Sequence, residues 1–128
     1  MDIPTLSPGQ ARERQQQGAI LVDIRQPHER AAGQAEGALA IDRAELEADP
    51  GRHLPDMDAE VLLVCQLGRR SLDAARVLRA AGYVRVRSVE GGTEGWIRQG
   101  LPVVRPDLDA DQADFLERYS RHLRLPEV

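Results

Sequence analysis

An unbroken apolar run, Val61-Leu62-Leu63-Val64, ends at the chain's only cysteine, Cys65. It gives way to a tight polar loop, Gln66-Leu67-Gly68-Arg69-Arg70-Ser71, before helical spacing begins at Leu72. Glu60 to Val64 reads as a central strand that delivers a thiol to the N-terminal end of a helix. Unpaired backbone N–H groups and the helix dipole favour negative charge at such an end. Arg69 and Arg70 add to that field. A cysteine placed this way is expected to have a lowered pKa and to act as a nucleophile. Cysteine is also among the most buried residue types, and a lone one at a strand end can be a small core hydrophobe. A structural cysteine has no need of the Gly68 turn, the paired arginines and a capping Ser71.

The rest of the chain alternates strand and helix patterns. Ser7-Pro8-Gly9-Gln10 carries a capping serine, a proline suited to the first helical position and a Gln that completes a capping box. This predicts a helix through Gln17, stopped by Gly18. Ala19 to Arg25 reads as a buried strand, Pro27 to Ala32 as a helical turn closed by Gly33, and Ala38 to Ile41 as a short strand. Asp42 is placed as the cap of a helix through about Ala48, and Asp49-Pro50-Gly51 as a turn. Helical spacing of Leu72, Ala75, Val77, Leu78 and Ala81 predicts a helix over 71–81. Tyr83 to Val89 alternates as a strand with one exposed face. Gly91-Gly92 turns the chain into a short helix around Trp96, closed by Gly100. Strands alternating with helices predict a parallel α/β sheet with helices on both faces, whose ligand site lies beyond the carboxyl ends of the strands, where Cys65 sits.

With 128 residues the chain has room for one domain and a real core. A net charge of −4 gives no reason to expect nucleic acid or an anionic membrane as partner. No run reaches the length of a membrane span and no signal-peptide pattern opens the chain. One cysteine cannot form an internal disulfide, which fits a cytoplasmic, reducing setting. All 17 Lys+Arg residues are arginine, so lysine-based chemistry is excluded. His28, His53 and His122 have no metal-ligand spacing, and no metal or other cofactor is expected. Gly91-Gly92 lacks the further glycines and the lysine of a phosphate-binding loop.

Several stretches line up with one family. Leu21-Val22-Asp23-Ile24-Arg25 with Pro27 and Glu29, Gly33 with Gly37-Ala38, Cys65 to Ser71, Ala74-Ala75 with Leu78 and Gly82, Gly91-Gly92 with Trp96, and Gly100-Leu101-Pro102-Val103 together resemble a rhodanese domain. The domain is expected over residues 1–104. The resemblance implies a three-layer α/β fold with a five-stranded parallel sheet flanked by helices. It also implies a sulfurtransferase whose catalytic Cys65 carries sulfur as a persulfide. Thiosulfate or the persulfide of a cysteine desulfurase would be the donor, and thiosulfate-to-cyanide transfer would be the test-tube activity. The chain departs from the family pattern at Gln34 and Ala35, at Arg30, and at apolar Leu67 in mid-loop. Leu67 could make the loop rim a docking surface for a protein donor or acceptor.

Within that reading, Gln66, Leu67, Gly68, Arg69, Arg70 and Ser71 form the persulfide-binding loop, their backbone N–H groups arranged as an anion nest. Arg70 would pack inward or fix the loop through a carboxylate, while Arg69 is the better exposed cation for an anionic donor. Asp23 and Arg25 are supporting residues, either in substrate contact or as a salt bridge holding the loops, since buried charges must be paired. Trp96 reads as core beneath the loop. Two other functions compete: a docking module of the same fold without turnover, and a phosphatase or arsenate reductase. Phosphatases of similar fold place their arginine one position later, where this chain has Ser71.

Residues 105–128 fall outside the domain. A helix is expected from about Gln112 to Leu123. Glu117 to Val128 resembles the opening segment of the ubiquitin-activating-like adenylyltransferases that charge sulfur-carrier proteins for molybdopterin and thiamine synthesis. The chain is therefore expected to be the N-terminal rhodanese part of a fusion cut at Val128. The acceptor would then be an adenylated sulfur-carrier protein, with the adenylyltransferase domain in the same full-length chain.

Overall fold

The computed structural model describes residues 3–105. The helix expected over 112–123 and the segment 117–128 lie outside the described residues. In chain order the elements are β1 (Thr5–Leu6), α1 (Pro8–Gln16), β2 (Ile20–Asp23), α2 (Pro27–Ala31), β3 (Gln34–Ala35), β4 (Leu39–Ala40), α3 (Arg43–Ala48), α4 (Pro50–His53), β5 (Val61–Val64), α5 (Arg69–Ala80), β6 (Val86–Val89), α6 (Gly92–Arg98) and β7 (Val103–Val104).

β5, and β2 as far as Val22, are apolar on both faces because both faces are covered. They sit side by side at the middle of a five-stranded sheet of order β1-β6-β5-β2-β4, and every pairing in it is parallel. Alternate residues supply two cores. Val22, Val61, Leu63 and Val86 face Ala74, Ala75 and Leu78 of α5 and Leu46 of α3. Leu21, Leu62, Val64 and Val89 face Ala11 of α1 and Trp96 of α6. The expected three-layer α/β architecture is therefore present. Cys65 is the first residue beyond the carboxyl end of β5 and belongs to the α5-side core.

The capping box at Ser7 and Gln10 forms as the sequence indicates. Four expectations need correction. The strand expected over 83–89 is ordered as β only from Val86; Tyr83 instead turns into the core and donates its hydroxyl to the Leu54 carbonyl. Pro50 starts a short helix rather than a simple turn, in keeping with proline's fit to a first helical position. Asp42 sits at the N-cap of α3 but makes no side-chain cap bond. Its carboxylate takes Arg30 instead, at 3.0 Å. The helix expected from Ser71 begins at Arg69. Three two-residue strands were also not read from the sequence: β1 on the sheet edge, and β3 with β7 as an antiparallel pair.

Trp96 is fully buried, and its indole N–H donates to the Pro102 carbonyl at 2.7 Å. This ties α6 to the segment that leads into β7. No helix among the described residues is long and apolar enough to cross a membrane.

Leu62 lies fully buried between β5's neighbours and the α6-side core. Leu62→Ala is expected to cost about 3 kcal/mol through the cavity it leaves, lowering the melting temperature by roughly 10 °C or more in a thermal scan.

Candidate active site

The α5 N-terminus starts with a left-handed turn. Gly68, at φ +104°, is the N-cap residue, and a Cβ there would come within 3.2 Å of the Gly91 nitrogen. Ser71 is thus not the cap, as the sequence suggested. It stands in the first turn of the helix, fully buried, with its hydroxyl 3.2 Å from the Gly68 carbonyl it donates to.

This turn wraps the loop around one atom. Cys65 Sγ accepts the Gly68 N–H at 3.0 Å and the Ser71 N–H at 3.3 Å, and the Ser71 hydroxyl lies 3.4 Å from it. Burial pushes the thiol up. The Ser71 hydroxyl and the N–H groups of Ser71, Gly68 and Leu67 outweigh burial, so the thiol is held below its ordinary value. Cys65 is 1% exposed, at the base of an open cleft of about 410 Å³ lined also by Gln66, Leu67, Arg69 and Arg70.

The carbonyls of the loop point the other way, into the start of α6. Thr93 N–H donates to the Cys65 carbonyl at 2.7 Å and Glu94 N–H to the Gln66 carbonyl at 3.1 Å. This approach is possible only because Gly92 has no side chain: a Cβ would fall 2.4 Å from the Cys65 oxygen and 2.5 Å from the Gln66 oxygen, at a residue with φ +59°. The Gly91-Gly92 pair, read in the sequence as a turn, is therefore the backing of the loop.

Asp23 and Arg25 form a buried ion pair, with Nη2 2.8 Å from Oδ2 and side chains 0% and 3% exposed. Arg25 also donates to the Gly33 carbonyl at 2.7 Å and to Gln66 Oε1 at 2.9 Å. The pair therefore links β2 to the loop rather than standing in the cleft. Arg70 reaches Glu29 with both terminal nitrogens, at 2.9 and 2.8 Å. That fork holds Glu29 down at about 2 and raises Arg70. Arg69 is exposed and has no hydrogen-bond or ion-pair partner among the described residues. Leu67 is 64% exposed on the rim.

The loop, Asp23 and Arg25 thus converge at the carboxyl end of β5, whereas His28 and His53 do not join them. No group of three or more His, Cys, Asp or Glu is placed to hold a metal ion among the described residues. Glu29, Gly92 and Ser88 belong to the assembly and were not singled out as site residues. Glu29 could have been suspected from its place at the start of a helix, close behind Pro27. For Ser88 the signal was a hydroxyl on the buried side of a strand.

The described fold and loop have known counterparts. The family profile of the rhodanese-like domain matches residues 7–99. The thiosulfate sulfurtransferase GlpE of Pseudomonas entomophila (strain L48) is 42% identical over 95 residues, covering 74% of this chain and 85% of that protein. The human single domain sulfurtransferase TSTD1 superposes with a TM-score of 0.66 at 32% identity, over 74% of this chain and 96% of that one. A rhodanese-related protein from Thermoplasma volcanium gives 0.70 at 27% identity, over 79% and 97% of the two chains.

Two measurements probe this construction. Gly92→Ala should displace the Cys65 and Gln66 carbonyls, lowering the melting temperature and raising the thiol's titration midpoint together. Glu29→Gln should lower stability at neutral pH by about 1 kcal/mol or less, since the pair is partly exposed. Glu29 is depressed in the folded state, so its contribution is complete above the unfolded value near 4.5 and lost as pH falls toward 2. The melting-temperature gap between variant and wild type should therefore close on acidification.

Proposed function

The chain belongs to the rhodanese-like domain family and is a rhodanese-type sulfurtransferase; on that premise we propose that Cys65 is the nucleophile that carries the sulfur, within the loop from Gln66 to Ser71. The observation that carries the reading is the convergence of the Gly68 and Ser71 N–H groups on Sγ. They stabilise a sulfur anion without supplying a bulky neighbour.

Two half-reactions follow. The Cys65 thiolate attacks the outer sulfur of thiosulfate. The S–S bond of the donor breaks, sulfite leaves with the electron pair, and Cys65–S–S⁻ remains. An acceptor nucleophile such as cyanide then attacks the terminal sulfur. The persulfide bond breaks, thiocyanate forms, and its electron pair restores the thiolate. Arg69 supplies the open positive charge that meets the dianionic donor at the cleft mouth. Arg70, committed to Glu29, holds the loop, as do Asp23 and Arg25 through Gln66. A phosphate ester is disfavoured by loop length: its larger tetrahedral head needs a longer cradle, and the position where the phosphatase arginine would stand is Ser71.

For the physiological acceptor we propose the adenylated C-terminal glycine of a small sulfur-carrier protein: the terminal sulfur of the persulfide attacks the acyl carbon, AMP leaves, and an external thiol then attacks Cys65 Sγ of the acyl disulfide, so that the carrier departs as a thiocarboxylate, of the kind used in molybdopterin or thiamine synthesis, and Cys65 is left in a mixed disulfide that a further thiol reduces. The resemblance of residues 117–128 to the opening of the adenylyltransferases that charge such carriers supports this.

Intact mass after thiosulfate treatment tests the first reading. The wild type should gain one sulfur and lose it to cyanide, and Cys65→Ser should gain none. A folded wild type that takes up no sulfur from thiosulfate or a persulfide donor would overturn it and favour a docking module. Transfer of the bound sulfur to an adenylated carrier protein in the presence of a thiol reductant, read as thiocarboxylate mass, tests the acceptor. Sulfur that passes to cyanide but never to the carrier refutes that part alone.

A further inference from the structure

Ser88 lies on the face of β6 that looks into the α5-side core, in register with Val86 of the same face, and is 1% exposed. A hydroxyl among apolar side chains is costly unless it is hydrogen-bonded. Its oxygen lies 2.7 Å from Ser71 Oγ, and among the described residues this is its one hydrogen-bond partner.

That isolation fixes a direction. If Ser71 donated to Ser88, the Ser88 hydrogen would be buried with nothing to accept it. Ser88 must therefore donate to Ser71 Oγ. The Ser71 hydrogen is then left two acceptors, the Gly68 carbonyl at 3.2 Å and Cys65 Sγ at 3.4 Å. When the sulfur is a thiol, the S–H can donate to Ser71 Oγ while Ser71 bonds Gly68. When the sulfur is ionised, it becomes the stronger acceptor, and the Ser71 hydrogen turns to it. Donation from Ser88 polarises that O–H further, as chained hydrogen bonds do in a dry interior.

We propose that Ser88 is a positioning residue for the sulfur chemistry: it donates to Ser71 Oγ and thereby commits the Ser71 hydroxyl hydrogen to the Cys65 thiolate when the sulfur ionises. The proposal rests on the reading of Cys65 as a thiolate nucleophile. Ser88 touches no reacting atom and acts through Ser71 alone. The charged groups around the sulfur are Arg69 and Arg70 on α5, the buried Asp23–Arg25 pair at the end of β2, and Glu29 on α2 behind Arg70. All are common to the variants below.

The test is an ultraviolet absorbance titration of the thiolate, which is unambiguous because the chain has a single cysteine. Ser88→Ala should raise the midpoint by about half a pH unit, the share expected from one cooperative bond to the hydroxyl that donates to the thiolate. Ser71→Ala should raise it as well, and adding Ser88→Ala to that background should move it no further. Ser88→Thr, which keeps the hydroxyl, should titrate like wild type, and Ser88→Val, of similar volume, like Ser88→Ala. That pair decides the matter if Ser88→Ala does not fold. A folded Ser88→Ala or Ser88→Val with the wild-type midpoint overturns the proposal. So does an equal shift in the presence and absence of the Ser71 hydroxyl, which would mark a merely structural role. The titration needs no sulfur donor, so failure of persulfide formation and failure of the Ser88 linkage are read separately.

Discussion

The site depends on where two carbonyl groups go. A loop that turns its N–H groups toward an anion must turn its carbonyls away from it, and those oxygens need donors. Here the first N–H groups of α6 supply them, binding the carbonyls of Cys65 and Gln66. The helix start thus satisfies its own orphan donors and the loop's orphan acceptors in one contact. The sulfur nest follows from that arrangement: with its carbonyls held from behind, the loop presents Gly68 and Ser71 N–H groups to Sγ. Gly92 is the point at which the whole assembly is steric, since any side chain would occupy the space of the carbonyls it backs.

The charges around the sulfur are divided by depth. The Asp23–Arg25 pair is buried and neutral as a unit, and Arg25 also donates to Gly33 and Gln66. Such a pair is weak support for stability but a firm determinant of geometry, since removing either member strands a buried charge. Glu29 and Arg70 form a second neutral unit at partial exposure. What remains as net charge at the cleft is Arg69. Uncharged hydrogen-bond donors inside and one open guanidinium outside make a site that stabilises a small anion locally and attracts a larger one from solution.

The sequence was legible wherever a pattern was local and long enough to have a period. The apolar run of β5, the spacing in α5, the Ser7 capping box and the turn from β5 through Cys65 into a helix all stand as read, and so does Trp96 as core. The two-residue strands β1, β3 and β7 carry no period, and only the fold brings their partners to them. Ser71 reads as a cap because serine is a common one. The actual cap is a left-handed glycine, chosen by backbone conformation rather than by side-chain chemistry. Glu29 and Arg70 are separated by 41 residues, and the two serines by 17. No spacing rule reaches across such distances. The role of Gly92 was illegible for the same reason: it answers to atoms that are close only after folding.

β1 gives the fold a dependence on its first residues. β1 covers the outer edge of β6 through Thr5 and Leu6 alone, opposite Ser88 and Val89, helped by Ser88 N–H to the Pro4 carbonyl and Glu90 N–H to that of Leu6. A chain trimmed past Leu6 would leave β6 as the outer strand, with unpaired amides directly behind the serine that contacts the loop. Such an edge takes up a strand from whatever offers one, including a second copy of the same chain. Pro4, Thr5 and Leu6 therefore guard the sheet against strand exchange, and a fusion or tag placed ahead of them must leave that short ladder free to form.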